Sequence, residues 1–202
     1  MSFVIDHVWI PAPGAAAGLE RLSEATGLPV LDGWSPDGEV KAHGLRFAGG
    51  AFLDVHDFAW RHGPSVLLRG SLQEAEALAA EHGWIAMPGR REHAPVEHRP
   101  IWSILAFPPR QGVISKLAVI AYEADPSEAA AEYQVPLYAA PPPDDGPKLG
   151  RVWLGGEGVE ALSLFGCSEL VAGDGDGVHR IEILGVEAPS VQLGPVEVVF
   201  RP

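Results

Sequence analysis

Val4-Ile5-Asp6-His7-Val8-Trp9-Ile10 and Phe52-Leu53-Asp54-Val55-His56 read as two short β-strands, and their relation decides the fold. Both are rich in the β-branched and aromatic residues that fit a pleated surface. Strand side chains alternate between faces with period two, so Asp54 and His56 share one face. If the two strands lie in one sheet, His7, Asp54 and His56 converge on a single point. Imidazole and carboxylate donors brought together in this way suit a divalent transition metal.

Outward from this pair the chain repeats itself. Residues 14–26 read as a helix with Leu19 and Leu22 inward and Gly27 just past its end. A second copy opens on Val66-Leu67-Leu68 and turns into a helix at Ser71-Leu72-Gln73-Glu74, which has the form of a capping box. That helix runs through Glu76 and Leu78 to Gly83, and strands are expected at 102–107 and 113–122. A fainter third copy has a strand at 151–154, a short helix at 157–165 and strands at 178–184 and 196–200. Ahead of it, Pro141-Pro142-Pro143-Asp144-Asp145-Gly146-Pro147 is an extended linker, because consecutive prolines fit neither a helix nor a sheet interior. The expected fold is α+β, with repeated βαβββ modules forming curved mixed sheets around a cleft and helices on the outer face. Residues 1–62 form the first module and 63–140 the second. Residues 141–147 are the linker, and 148–202 a shorter, mostly β third module.

Composition narrows the partners. The net charge of −13, with 27 acids against 14 bases, argues against nucleic acid, whose phosphates are bound by Lys and Arg. With 47% hydrophobic and 20% charged residues, the 202-residue chain reads as globular. It has no apolar run near the ~18 residues of a membrane span. Met1-Ser2-Phe3-Val4 lacks the basic start of a secretory signal. A single cysteine, Cys167, allows no internal disulfide and fits a reducing cytoplasm. No phosphate loop, dinucleotide fingerprint or nucleophile elbow occurs in the sequence.

Strand–helix–strands modules with Asp6-His7 opening the first strand and Phe52-Leu53-Asp54-Val55 closing the last resemble the vicinal oxygen chelate superfamily, and within it the glyoxalase-like domain proteins of bacteria. The resemblance implies metal ligands at His7 and Asp54, with zinc, iron, manganese or nickel as the divalent ion. It implies a lyase, isomerase or dioxygenase type of reaction on an oxygen-rich small molecule, in which Glu123 is the candidate proton-moving base. The superfamily also contains metal-free proteins that bind or sequester small molecules in the same cleft. The second copy offers no ligand in Val66-Leu67-Leu68, so the implied metal site is lopsided, unless modules pair across a homodimer and complete it.

Each candidate also has a plainer reading. His7 in an apolar strand fits a hydrogen-bonded core residue as well as a ligand. Asp54 needs a partner if its face is inward, and needs none if that face meets solvent. His56 is either a third ligand or the start of the polar loop after it. His43 and Trp102 suit the lining of a substrate pocket, and equally a strand edge and a core. His93 and His98 read as a polar, proline-containing loop. His179 follows the hairpin turn Gly173-Asp174-Gly175-Asp176-Gly177.

Overall fold

The computed structural model describes residues 3–33, 42–58, 63–92, 100–122 and 136–202. β1 (Val4–Pro11) leads into α1 (Ala15–Thr26), and β2 (Leu31–Asp32), β3 (Ala42–Arg46) and β4 (Phe52–His56) complete the first strand–helix–strands unit. The second unit repeats the plan with β5 (Ser65–Arg69), α2 (Leu72–His82), β6 (Met87–Glu92), β7 (Pro100–Ala106) and β8 (Leu117–Tyr122). Both helices stop at a glycine in the left-handed region, Gly27 at φ 70° and Gly83 at φ 69°, where other residues are strained. Ser71 Oγ accepts from the Glu74 backbone N–H at 3.3 Å, so the expected cap of α2 is present.

The two units form one eight-stranded sheet in the order β2-β3-β4-β1-β5-β8-β7-β6. In each, the first strand runs parallel to the last, β1 beside β4 and β5 beside β8. The units meet through antiparallel β1 and β5, so they pair side by side within one chain. Helices α1 and α2 cover one face of this sheet. There Ile10, Leu19, Leu22, Leu53, Val66 and Leu68 are fully buried in a common core.

Past the short helix α3 (Pro136–Ala139), a second sheet of five strands follows. It contains β9 (Lys148–Gly155), β10 (Leu170–Ala172), β11 (Gly177–Leu184), β12 (Val191–Leu193) and β13 (Val196–Arg201), in the order β10-β9-β11-β13-β12. Its first strand lies between β10 and β11 rather than beside the last strand, so its order differs from the βαβββ plan of the first two units. Where a short helix is expected at 157–165, a 3-10 helix, Val159–Phe165, is found. Another 3-10 helix, Gly112–Lys116, occupies the start of the strand expected at 113–122. The five-stranded sheet covers the helical side of the larger one. β12 packs on α1, and Phe165 stacks on Trp84 with ring centroids 6.0 Å apart. That arrangement leaves the other face of the eight-stranded sheet to form a cavity.

Candidate functional site

The site begins with an irregularity in β1. Ile5 stands opposite Leu68 of β5, and His7 opposite Leu67, so Asp6 is the extra residue of a β-bulge. In a regular strand Ile5 and His7 would share a face. With the bulge, Ile5, Val8 and Ile10 all join the core, while His7 and Trp9 line a cavity of about 590 Å³. The bulge also lets two sequence neighbours meet, and His7 Nδ1 lies 2.7 Å from Asp6 Oδ2. Tyr122 donates its hydroxyl to the same oxygen at 2.8 Å.

Both Asp6 and His7 are buried. Burial by itself would raise the Asp6 carboxyl. The hydrogen bonds from His7 and Tyr122, with Arg69 nearby, outweigh that and hold it below its ordinary value. Burial and the Asp6 carboxylate push the Tyr122 hydroxyl far above its ordinary value, so it stays a donor. An ionised carboxylate only accepts hydrogen bonds. In the neutral His7 ring the proton therefore sits on Nδ1, which leaves Nε2 with its lone pair.

Beside His7, β4 contributes the second polar group. Asp54 pairs with Trp9 of β1 on one side and Gly44 of β3 on the other. It is 7% exposed. His56 Nε2 is 3.0 Å from Asp54 Oδ1, but out of line for a hydrogen bond, and Oδ1 is left buried without a donor. Tyr138 reaches Oδ2 at 3.5 Å, the limit of a hydrogen bond. Tyr138 comes from α3, which is docked on the sheet by Leu137, fully buried against Gly44. A side chain at Gly44 would collide with the Leu53 carbonyl and with Leu137. Arg46 Nη1 ties α3 down by donating to the Leu137 and Tyr138 carbonyls at 3.1 and 2.9 Å. Around the polar groups stand aromatic rings. Phe52 stacks on His7 at 4.5 Å, and Trp9 meets His56 edge-on at 5.7 Å.

The far side of the cavity is apolar. β5, β7 and β8 present Leu67, Trp102, Ile104, Ala106, Ala118 and Ile120, and Met87 of β6 and Phe107 extend the wall. No Lys or Arg is among the described residues that line it.

His7, Asp54, His56 and Trp102 therefore face one cavity. His43 does not join them. It pairs with Val55, whose side chain is in the core, so it lies on the opposite face from Asp54, and its Nδ1 is 3.2 Å from Asp32 Oδ1. Glu123, His93 and His98 lie outside the described residues. Trp9, Tyr122 and Tyr138 went unmarked in the sequence. Period two from Ala118 and Ile120 points to Tyr122, and from His7 to Trp9. Tyr138 carries no such signal. Burial pushes the Cys167 thiol up to about 11, which keeps it protonated and unreactive.

No protein-family model matches the chain, and no curated protein does. Among solved structures, a hypothetical protein from Staphylococcus aureus shares the fold over 100% of both chains, with a TM-score of 0.64 and 11% identity. Methylmalonyl-CoA epimerase from Streptomyces coelicolor aligns with 59% of this chain and 97% of its own, at a TM-score of 0.42 and 13% identity.

For a divalent ion, the donor set is incomplete. The orphaned Asp54 Oδ1 and nearby His56 Nε2 are two donors at a spacing that an ion would accept, and His7, with Nδ1 on Asp6, offers Nε2 as a third donor in kind but not in place. Among the described residues no three His, Cys, Asp or Glu side chains stand together as a ligand group, whereas catalytic zinc sites take three protein ligands. The described residues therefore do not fit a resident metal. Nor is any described helix long and apolar enough to cross a membrane.

Proposed function

We propose that this chain is a small-molecule-binding protein of the vicinal oxygen chelate type, in which the cleft works without a resident metal. The observation that carries the reading is Asp54 Oδ1, buried on the wall of the cavity and lacking a donor. Leaving such an oxygen unpaired costs about 1–3 kcal/mol. A ligand that pairs with it recovers that cost, and unsatisfied groups of this kind are rare enough in folded proteins to need a reason. His7 adds chemistry to the same end. Asp6 fixes its tautomer, so Nε2 accepts a hydrogen bond from the ligand or takes a proton from it, and the Asp6 carboxylate stabilises the imidazolium that results.

Trp9 and Trp102 line the cavity, so tryptophan fluorescence reports on its occupancy. Small alcohols with an apolar body are expected to quench it in native and chelator-treated protein alike, and about tenfold more weakly in Asp54→Ala. Metal analysis runs beside the titration. Stoichiometric metal that is lost in both Asp54→Ala and His56→Ala, with binding that returns only on adding the ion, would overturn the metal-free reading in favour of a metalloenzyme.

A further inference from the structure

Resting on that reading of the cavity as a ligand site, the geometry points to the class of ligand: an apolar molecule ending in a hydrogen-bond donor, a hydroxyl or an ammonium, and not in a carboxylate or phosphate. The argument is a count of donors and acceptors at the polar end. His7 gives its Nδ1 proton to Asp6, 2.7 Å away, and offers an acceptor at Nε2. Asp54 Oδ1 is a buried acceptor without a donor. Ser115, farther along the wall, already gives its hydroxyl proton to the Gly112 carbonyl at 2.7 Å, so it too has acceptor capacity to spare.

The donors on the wall are uncharged hydroxyl and indole groups, on Tyr138, Trp9 and Trp102, and the His56 ring, whose Nε2 already lies 3.0 Å from Asp54 Oδ1. Tyr138 reaches Asp54 Oδ2 at 3.5 Å. Arg46, on β3 two residues from the Gly44 that pairs with Asp54, is not among the residues lining the cavity, and its Nη1 is used by the Leu137 and Tyr138 carbonyls. Tyr122 gives its proton to Asp6. A carboxylate or phosphate entering here would face the Asp54 carboxylate with no described Lys or Arg on the wall to meet it, and a desolvated charge without a partner is costly. A hydroxyl satisfies one acceptor, and a diol or an ammonium satisfies both. An ammonium would also lie near Trp9 and Tyr138, which line the cavity and whose ring faces attract cations. The body of the molecule then extends over Leu67, Ile104 and Ile120.

Three probes with one body separate the cases: phenylbutanol, phenylbutylamine and phenylbutanoate, titrated at neutral pH against the full chain by calorimetry. The alcohol and the amine are expected to bind at least about tenfold more tightly than the carboxylate. The tighter of those two identifies the headgroup. In Asp54→Asn, which adds a donor and removes the charge, the preference should shrink several-fold. Equal or tighter binding of phenylbutanoate overturns the inference while leaving the ligand site standing. Failure of all three to bind overturns both.

Discussion

Two halves of one sheet, built on the same strand–helix–strands plan, present opposite chemistry to the same cavity. In the first half, His7 stands beside Phe52 and Trp9 beside Asp54. In the second, Leu67 stands beside Ala118 and Arg69 beside Ile120. Across the seam, His7 and Leu67 face each other directly. The backbone arrangement is duplicated, and the side chains on its open face are not. Topology therefore fixes where a cleft lies but does not decide what the cleft binds. The difference is that between a head and a body: acceptors at one end, apolar surface at the other, as an amphipathic ligand requires.

The largest effect expected comes from erasing the contrast. Ile120 is 2% exposed on the apolar wall, with Arg69 beside it on β5 as the nearest cation across the pairing. Ile120→Asp would bury a carboxylate among Leu67, Ile104 and Ala118, at a cost of about 3 kcal/mol or more even where Arg69 pairs with it. Urea denaturation should show either a variant that is unfolded without denaturant or one with a strongly lowered midpoint. A midpoint within 1 M of the native one (about 2 kcal/mol at ordinary slopes) would mean that this wall is wetter than its lining implies. The mirror change, Asp54→Leu, removes an unsatisfied oxygen and should leave stability within about 1 kcal/mol, while abolishing the preference for donor headgroups.

Next in size is the docking of α3, which closes the polar half alone. Gly44→Ala places a methyl group against the Leu53 carbonyl and Leu137. Overpacking of this kind costs about 1–3 kcal/mol. The expected outcome is a lower unfolding midpoint together with weakened binding of phenylbutanol, because Tyr138 shifts away from Asp54. Unchanged binding with lowered stability would show that Tyr138 only covers the site.

How much of this was legible in the sequence follows from which forces are local. The two helices and the α2 cap were readable because capping and terminal glycines act within a few residues, and the four-strand plan follows from period two and the repeat. His7 and Asp54 share a cavity for the same reason. His43 was beyond reach, since its face depends on the pairing of Gly44 with Asp54 across β3 and β4. The bulge at Asp6 is likewise a property of two strands, visible only against β5. Tyr138 approaches Asp54 from 84 residues away along the chain, on a helix of four residues that no periodicity announces. The C-terminal strands looked like a third copy because turns and apolar runs recur there. Their order differs because pairing is decided by non-local contacts.

The smallest effect is the most discriminating, because it separates Asp6 as a positioning residue from Asp6 as a structural one. Asp6→Asn keeps the shape and an acceptor but loses the charge, and hydrogen bonds to charged groups exceed neutral ones by about 1–2 kcal/mol. Because the native carboxyl lies below its ordinary 3.8, it contributes stability at any pH above that value. That contribution is lost as pH falls through the lower native value. The gap between native protein and Asp6→Asn should therefore be largest at neutral pH and close in strong acid, as followed by urea denaturation at a series of pH values. If Asp6 also holds the His7 proton on Nδ1, the same variant frees the ring to exchange tautomers. Nitrogen NMR of the imidazole then shows a single Nδ1–H form in the native protein and a mixture in Asp6→Asn. A pH-dependent loss of stability with the His7 tautomer unchanged would leave Asp6 as a buried anchor for Tyr122, and the polar half would then owe its orientation to Phe52 stacking on the His7 ring.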